Sequence, residues 1–219
     1  MQVVVVIPAF QAAGTIDGVV ARARAALPGA RIVVVNDGSS DGSYSAVAET
    51  VLAHKQNLGK GAALRDGIRE AIRSGAAIIV TLDADGQHPP EEIPRLIRPI
   101  AETQADIVLG ARQRNGGMPV SRRFTNWLSA SLATRIGGQS VPDAQTGFRA
   151  FTREVAEQVQ PAGNRYEYEA NFLLDALRAG FRVTSVEVPT IYGGAARSHF
   201  RAWSDTWRMA RAFAKQLRR

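Results

Sequence analysis

The chain has 219 residues, 45% of them hydrophobic, which is enough for the core of one sizeable domain. It contains no cysteine, which excludes a disulfide framework, thiolate catalysis and cysteine metal sites and suits a reducing compartment. The formal charge of +7 is uneven: from Arg197 onward seven basic residues stand against Asp205 alone, whereas residues 1–196 carry 20 basic and 19 acidic side chains, so attraction to anions belongs to the tail and a few internal arginines.

In chain order, the opening "MQVVVVIPAF" lacks a basic n-region and its apolar run stops at Pro8. No run reaches the roughly 20 residues that span a bilayer, so neither a signal peptide nor a spanning helix is expected. The runs "VVVVI" (3–7), "IVVVN" (32–36), "AIIVTL" (77–82) and "DIVLG" (106–110) are short, β-branched and without polar alternation, as in strands buried on both faces of a parallel sheet. Between them Thr15 to Ala26, Ser43 to Ala53, Lys60 to Ser74 and Glu91 to Glu102 have helical composition and spacing, giving βαβαβαβ, the architecture of a nucleotide-binding unit.

After Gly110 the rhythm changes. A Gly- and Arg-rich loop (110–123) is followed by a helix near Phe124 to Ile136, a strand at Phe148 to Phe151 and a helix from about Glu167 to Ala179. From Phe200 the apolar residues Phe200, Trp203, Trp207, Ala210, Ala214 and Leu217 form one helical stripe beside Arg201, Arg208, Arg211, Lys215 and Arg218. The expectation is a single α/β domain over 1–200, mostly parallel sheet flanked by helices, with residues to about 110 forming one half and 111–200 the other, then a basic amphipathic helix at 201–219. That helix either packs on the domain or lies on anionic lipid.

Ligands of open α/β sheets bind beyond the carboxyl ends of the strands, and polar motifs follow each apolar run here. "NDGSSDGS" (36–43) reads either as a strand-to-helix turn or as a site in which Asp37 accepts hydrogen bonds from a base or ribose and Ser39 lies near a diphosphate. "NLGKGAALRDG" (57–67) has a phosphate-loop look but not the P-loop spacing, which excludes an NTPase of that class. In "TLDADGQHPP" (81–90) side chains two apart on extended backbone project to one face, about 6–7 Å apart. Asp83 and Asp85 can therefore converge on one ligand. A diphosphate beside two carboxylates needs a cation, and Mg²⁺ or Mn²⁺ held by one or two carboxylates plus substrate phosphates answers that need. Gln87 or His88 can complete the shell, although a lone loop histidine is more often unliganded.

Taken in order, "VVIPAF", "VVVNDGSSDGS", "NLGKGAALRDG", "TLDADGQHPPEEI", "DIVLGAR" and "QTGFRAF" resemble the family 2 glycosyltransferases, and most of all the dolichyl- or polyprenyl-phosphate mannosyl- and glucosyltransferases, over about residues 2–200. The resemblance implies a nucleotide-diphospho-sugar transferase (GT-A type) fold, with Asp37 on the base, Asp83 and Asp85 at the metal and donor, and Gln87 beside the metal. Pro8, Ala9, Asp37, Ser39, Lys60, Asp83 and Ala84 are the expected donor contacts. Two departures from the family pattern stand out. "FQAAGTI" replaces the usual Asn-Glu, which weakens any role for Gln11, and Ser198-His199 replaces a Ser-Lys.

The second half is expected to take the acceptor. Arg112, Arg114, Arg122 and Arg123 crowd the glycine-containing loop, Arg201 follows, and "DAQTGFRAF" supplies Asp143 and Arg149, the latter otherwise a surface arginine. Glu167 and Glu169 open a helix, where acids are favoured by the dipole in any case. Catalysis is assigned to Asp83, Asp85, Arg112 and Asp143, and acceptor binding to Arg112, Arg122, Arg123 and Arg201. A phosphate acceptor with a second pKa of about 6 is already ionised and needs no general base, so arginines without an obvious histidine base favour polyprenyl phosphate, attacked with inversion. The expected partners are a nucleotide-diphospho-sugar of the GDP-mannose or UDP-glucose type, a polyprenyl phosphate and a membrane surface met peripherally from the cytoplasmic side, with no nucleic acid. A hydroxyl acceptor, a nucleotidyltransferase and a non-catalytic nucleotide-binding module remain the alternatives.

Overall fold

The computed structural model describes residues 1–43, 48–112, 130–131, 133–135, 138–139, 141–144, 146–165, 167–189 and 191. Strand β1 (Val3–Ala9) is buried along its whole length. Its side chains alternate between two cores: Val4 and Val6 join one hydrophobic cluster, and Val3, Val5 and Ile7 join the other. Period-two projection from one strand thus sets a three-layer arrangement with apolar packing on both sheet faces.

The remaining described strands are β2 (Arg31–Asn36), β3 (Thr50–Ala53), β4 (Ile78–Thr81), β5 (Ile107–Arg112), β6 (Arg149–Thr152) and β7 (Val183–Val188). Their order in the sheet is β3-β2-β1-β4-β6-β5-β7. All pairings are parallel except those of β6, which runs antiparallel to both β4 and β5. The carboxyl ends of β1, β2, β4 and β5 therefore share one edge, and the residues that precede β6 arrive at that same edge.

Helices α1 (Ile16–Ala26) and α3 (Ile93–Ala101) cover one face. Helices α2 (Lys60–Arg73), α4 (Arg153–Gln158) and α5 (Glu167–Arg178) cover the other. A 3-10 turn at Pro90–Glu92 leads into α3. No helix among the described residues is long and apolar enough to cross a membrane.

One expectation is corrected and two elements are added. Of the helix expected from Ser43 to Ala53, the described residues are not helical, and Thr50–Ala53 is an edge strand paired in parallel with Val33–Asn36. Its Val-Leu-Ala composition suits a helix, but pairing with β2 satisfies the backbone, and Glu49 accepts the Ile32 amide at 2.8 Å beside it. Strand β7 was not anticipated, because Thr184, Ser185 and Glu187 interrupt its apolar residues and only Val183 and Val188 are buried. The short α4 also escaped the sequence reading, although Thr152 caps it by accepting the Val155 amide. Of the helix expected near Phe124 to Ile136, residues 130, 131 and 133–135 are described and helical. The expected helix at 201–219 lies outside the described residues.

Helix α2 approaches the sheet closely at Gly67, where a β-carbon would stand 2.3 Å from Val6 Cγ1 and 3.0 Å from Val35 Cγ2. Gly67→Ala should therefore destabilise by about 1–3 kcal/mol through overpacking, despite the better helix former. Gly18→Ala, on an exposed turn of α1 with nothing within 4 Å of the new carbon, should stabilise by about 0.4–1 kcal/mol. Urea denaturation of the two variants checks both signs.

Candidate active site

The strand order reverses between β1 and β4, and there the two strands part. Their pairing ends at Val6 opposite Thr81, and the Leu82 amide still reaches Val6 O at 3.1 Å. The crevice that opens is flanked by Pro8 and Ala9 on one side and by Asp83 to Asp85 on the other, the usual ligand position of a doubly wound sheet. The expected donor residues Pro8, Ala9, Asp83 and Ala84 thus come together. Thr15 Oγ1 donates to Ala84 O at 2.7 Å, fixing the aspartate loop against the start of α1.

Asp83 does not stand alone. Lys60, first residue of α2, places Nζ 2.6 Å from Asp83 Oδ1 and 3.1 Å from Glu169 Oε1. Burial works against an ionised Asp83, but the charge and hydrogen bond of Lys60 hold its carboxyl below the ordinary range. Burial also works against the Lys60 ammonium, and Asp83 and Glu169 together outweigh it. Burial pushes the Glu169 carboxyl up, Lys60 counters this and the charge of Asp83 adds to it. Asp85 is different: burial, reinforced by the charge of Asp83, lifts its carboxyl above the ordinary range, and its Oδ1 accepts the Gln87 amide at 2.9 Å.

Residues 146 and 147 close over this pair. Thr81 Oγ1 donates to Gly147 O at 2.8 Å. A β-carbon on Gly147 would lie 2.6 Å from Asp83 Oδ2, so only glycine lets the backbone abut the carboxylate. His88, read from sequence as an ordinary loop histidine, is buried with its ring centroid 5.5 Å from that of Phe148. Its Nδ1 has no hydrogen-bond partner, and burial holds the imidazole below its usual range, hence neutral.

Asp37, expected on the nucleoside base, is only 2% exposed. Its two oxygens accept the Leu58 and Gly59 amides, each at 2.8 Å, and Oδ1 lies 2.7 Å from His54 Nδ1. These contacts fasten the loop that leads to Lys60. With His54 Nδ1 as a donor, they use three of a carboxylate's roughly four acceptor sites. Ser39 Oγ accepts the Gln11 amide at 3.0 Å, and Gln11 Nε2 and Ser40 Oγ are 3.2 Å apart. Gln11, set aside on its departure from the family pattern, joins the first two strand-end loops.

On the other flank Arg112 and Asp143 form a two-pronged pair, Nε to Oδ2 at 2.8 Å and Nη2 to Oδ1 at 3.2 Å. Arg112 closes β5 instead of lying in the loop beyond it. Arg149 is not a surface arginine: it is 3% exposed and donates to Thr146 O at 2.7 Å, Ala144 O at 3.1 Å and Glu169 O at 2.7 Å. It therefore holds the segment before β6 against the first turn of α5. Glu167 behaves as a helix-start acid, accepting the Asn164 amide at 3.2 Å. The expected acceptor residues Arg122, Arg123 and Arg201, and Arg114, lie outside the described residues.

As a metal centre, Asp83, Asp85 and the Gln87 amide offer hard oxygen donors. Among the described residues no three or more His, Cys, Asp and Glu side chains form a cluster able to hold a metal ion. A site of two carboxylates suits Mg²⁺ or Mn²⁺ completed by substrate phosphates, and does not suit a dedicated all-protein cage.

Comparison with known proteins agrees with this layout. The profile of Glycosyl transferase family 2 matches residues 4–160. The chain is 31% identical over 187 residues to a UDP-N-acetylglucosamine–dolichyl-phosphate N-acetylglucosaminyltransferase of Methanococcus voltae, covering 74% of each. It is 29% identical over 207 residues to an undecaprenyl-phosphate mannosyltransferase of Micrococcus luteus, covering 88% of this chain and 84% of that one. Among solved structures, glucosyl-3-phosphoglycerate synthase from Mycobacterium tuberculosis, determined with Mn²⁺, UDP and glucosyl-3-phosphoglycerate, superposes with a TM-score of 0.78 at 21% identity, covering 98% of this chain and 79% of that one, and so shares the fold. The chain belongs to glycosyltransferase family 2 and is a glycosyltransferase of the GT-A fold.

Proposed function

We propose that this enzyme moves a sugar from a nucleotide-diphospho-sugar to the phosphate of a polyprenyl phosphate, with inversion, at a site where Asp83, Asp85 and Gln87 hold Mg²⁺ or Mn²⁺. The observation that carries the proposal is the facing arrangement at one sheet edge: an aspartate pair at the switch point, and an arginine, Arg112, held by Asp143 across from it. The cation, when bound, supplies a Lewis acid that stabilises the departing nucleoside diphosphate.

The chain's own groups do the rest. Pro8, Ala9, Ala84 and Ser39 line the donor crevice, Asp37 offers its remaining acceptor position to the nucleoside, and Lys60 faces the diphosphate. Asp143 holds the Arg112 guanidinium in a fixed orientation for an acceptor phosphate, with Arg122, Arg123 and Arg201 as further anion partners. Asp143 is tied to Arg112 and Glu169 to Lys60, which leaves neither as a nucleophile and favours a single displacement. A phosphate acceptor brings its own charge and needs no base.

The acceptor class is supported by the names of the two relatives, both of which act on a polyprenyl-type phosphate. Their sugars differ, so donor choice belongs to a panel of GDP-mannose, UDP-glucose and UDP-N-acetylglucosamine. The tail's stripe of two tryptophans beside basic residues supports a cytoplasmic enzyme peripheral to the inner membrane face, where each basic residue near anionic lipid contributes roughly 1 kcal/mol.

Asp85→Ala should abolish transfer while the fold persists, and EDTA should do the same to the unaltered enzyme; full activity of that variant in EDTA overturns the metal site. Because the Asp85 carboxyl is raised, its ionised form is lost as pH falls through a value above the ordinary 3.9, and nucleotide-dependent Mn²⁺ binding should decline on that limb. In the metal-free enzyme, an Asp85 carboxyl that titrates no higher than an ordinary aspartate contradicts this assignment. In co-sedimentation with anionic vesicles at low salt, the full chain should partition more strongly than a version ending at Arg197. Equal partitioning returns the tail to packing on the domain.

A further inference from the structure

Lys60 touches Asp83 and Glu169 at once. Asp83 is the first of the two carboxylates assigned to the metal, and its Oδ2 is faced by Gly147. A β-carbon at Gly147 would stand 2.6 Å from Oδ2 and 2.8 Å from Oδ1, so glycine abuts both oxygens, and the ammonium sits on Oδ1. A divalent cation binds a carboxylate oxygen at about 2.0–2.1 Å for Mg²⁺, and an ammonium at 2.6 Å from the same oxygen is in its way. Glu169 offers a second carboxylate to the same nitrogen, so Lys60 can leave Asp83 without becoming an unpaired charge, and the rotation is within side-chain reach.

We propose that Lys60 is an exchangeable counter-ion, which neutralises Asp83 before a divalent cation binds and passes to Glu169 and the incoming diphosphate when one does. This rests on the metal reading of Asp83 and Asp85 given above. Metal alone has to break the Lys60 contact, whereas metal with nucleotide gives Lys60 a phosphate oxygen in exchange. Lys60 thereby couples metal affinity to nucleotide binding, and the coupling acts equally in both directions.

The test is Mn²⁺ binding followed by electron paramagnetic resonance, with and without UDP or GDP, in the full chain. Lys60→Gln is the direct variant. Lys60→Gln with Glu169→Gln removes one charge of each sign, so a change in that pair reports the vacated Asp83 oxygen and not a stronger negative field. Both should bind Mn²⁺ without nucleotide about tenfold more tightly than the unaltered enzyme, within the range usual for coupled sites, and show a smaller gain on adding nucleotide. Unchanged or weaker nucleotide-free binding in both, while the unaltered enzyme binds Mn²⁺ with nucleotide and Asp85→Asn does not, overturns the role of Lys60 and leaves the metal site standing. Absence of nucleotide-dependent Mn²⁺ binding in the unaltered enzyme overturns both. Should the variants fail to fold, ¹³C-lysine spectra of the unaltered enzyme serve, with the Lys60 signal assigned by Lys60→Arg. That signal should move on saturation with Mg²⁺, and a stationary signal overturns the exchange.

Discussion

Four carboxylates, Asp83, Asp85, Asp143 and Glu169, gather at one edge of the sheet, and their repulsion has to be offset before any ligand arrives. The chain supplies Lys60 between Asp83 and Glu169, Arg112 against Asp143, and Arg149 behind them. Lys60, Asp83 and Arg112 are partly exposed while Asp143, Arg149 and Glu169 are buried, so removing one partner leaves a charge that water only partly screens, which costs more than losing a fully exposed ion pair. The architecture around the site follows from placing those three cations. Lys60 must open α2, Arg112 must close β5, and Arg149 must begin β6.

That requirement explains the antiparallel strand. Were β6 parallel to its neighbours, its leading residues would fall at the far edge of the sheet, away from β4's carboxyl end. Running the other way, it delivers Asp143, Thr146 and Gly147 to the aspartates, with Thr81 holding Gly147 O and Arg149 holding the two carbonyls between. The first half is thus built from parallel strands and the second enters the sheet by one reversal, with Asp83 and Gly147 in contact at the seam.

The parts legible in sequence were those written locally. Four buried strands announce themselves as β-branched runs, and the aspartate pair stands out as two carboxylates just beyond one of them; the extended geometry expected for the pair does not hold, because β4 ends at Thr81 and Ala84 and Asp85 lie in a turn. What escaped was non-local. Nothing near Glu169 distinguishes it from Glu167, two residues earlier in the same helix turn, yet one is a partner of Lys60 and the other caps backbone amides. Arg149 looked like a surface residue because its partners are backbone carbonyls, which carry no sequence signature. Edge strand β3 was misread because helical composition is a weak prior against a neighbouring strand that needs its hydrogen bonds met.

The same distribution bears on how one fold accommodates different acceptors. The donor crevice is fixed by contacts internal to the first half: Asp37 on the Leu58 and Gly59 amides, Thr15 on Ala84 O, and Gln11 beside Ser39. The second half is joined to it along the β4–β6 pairing and along α2, where Arg65 donates to Asn164 Oδ1 and Gly163 O, and at the site by Thr81 on Gly147 O and the Lys60 bridge to Glu169. On the proposed reading, a change of acceptor is compatible with the aspartates only where Gly147 keeps its backbone against Asp83 and Glu169 keeps its place opposite Lys60.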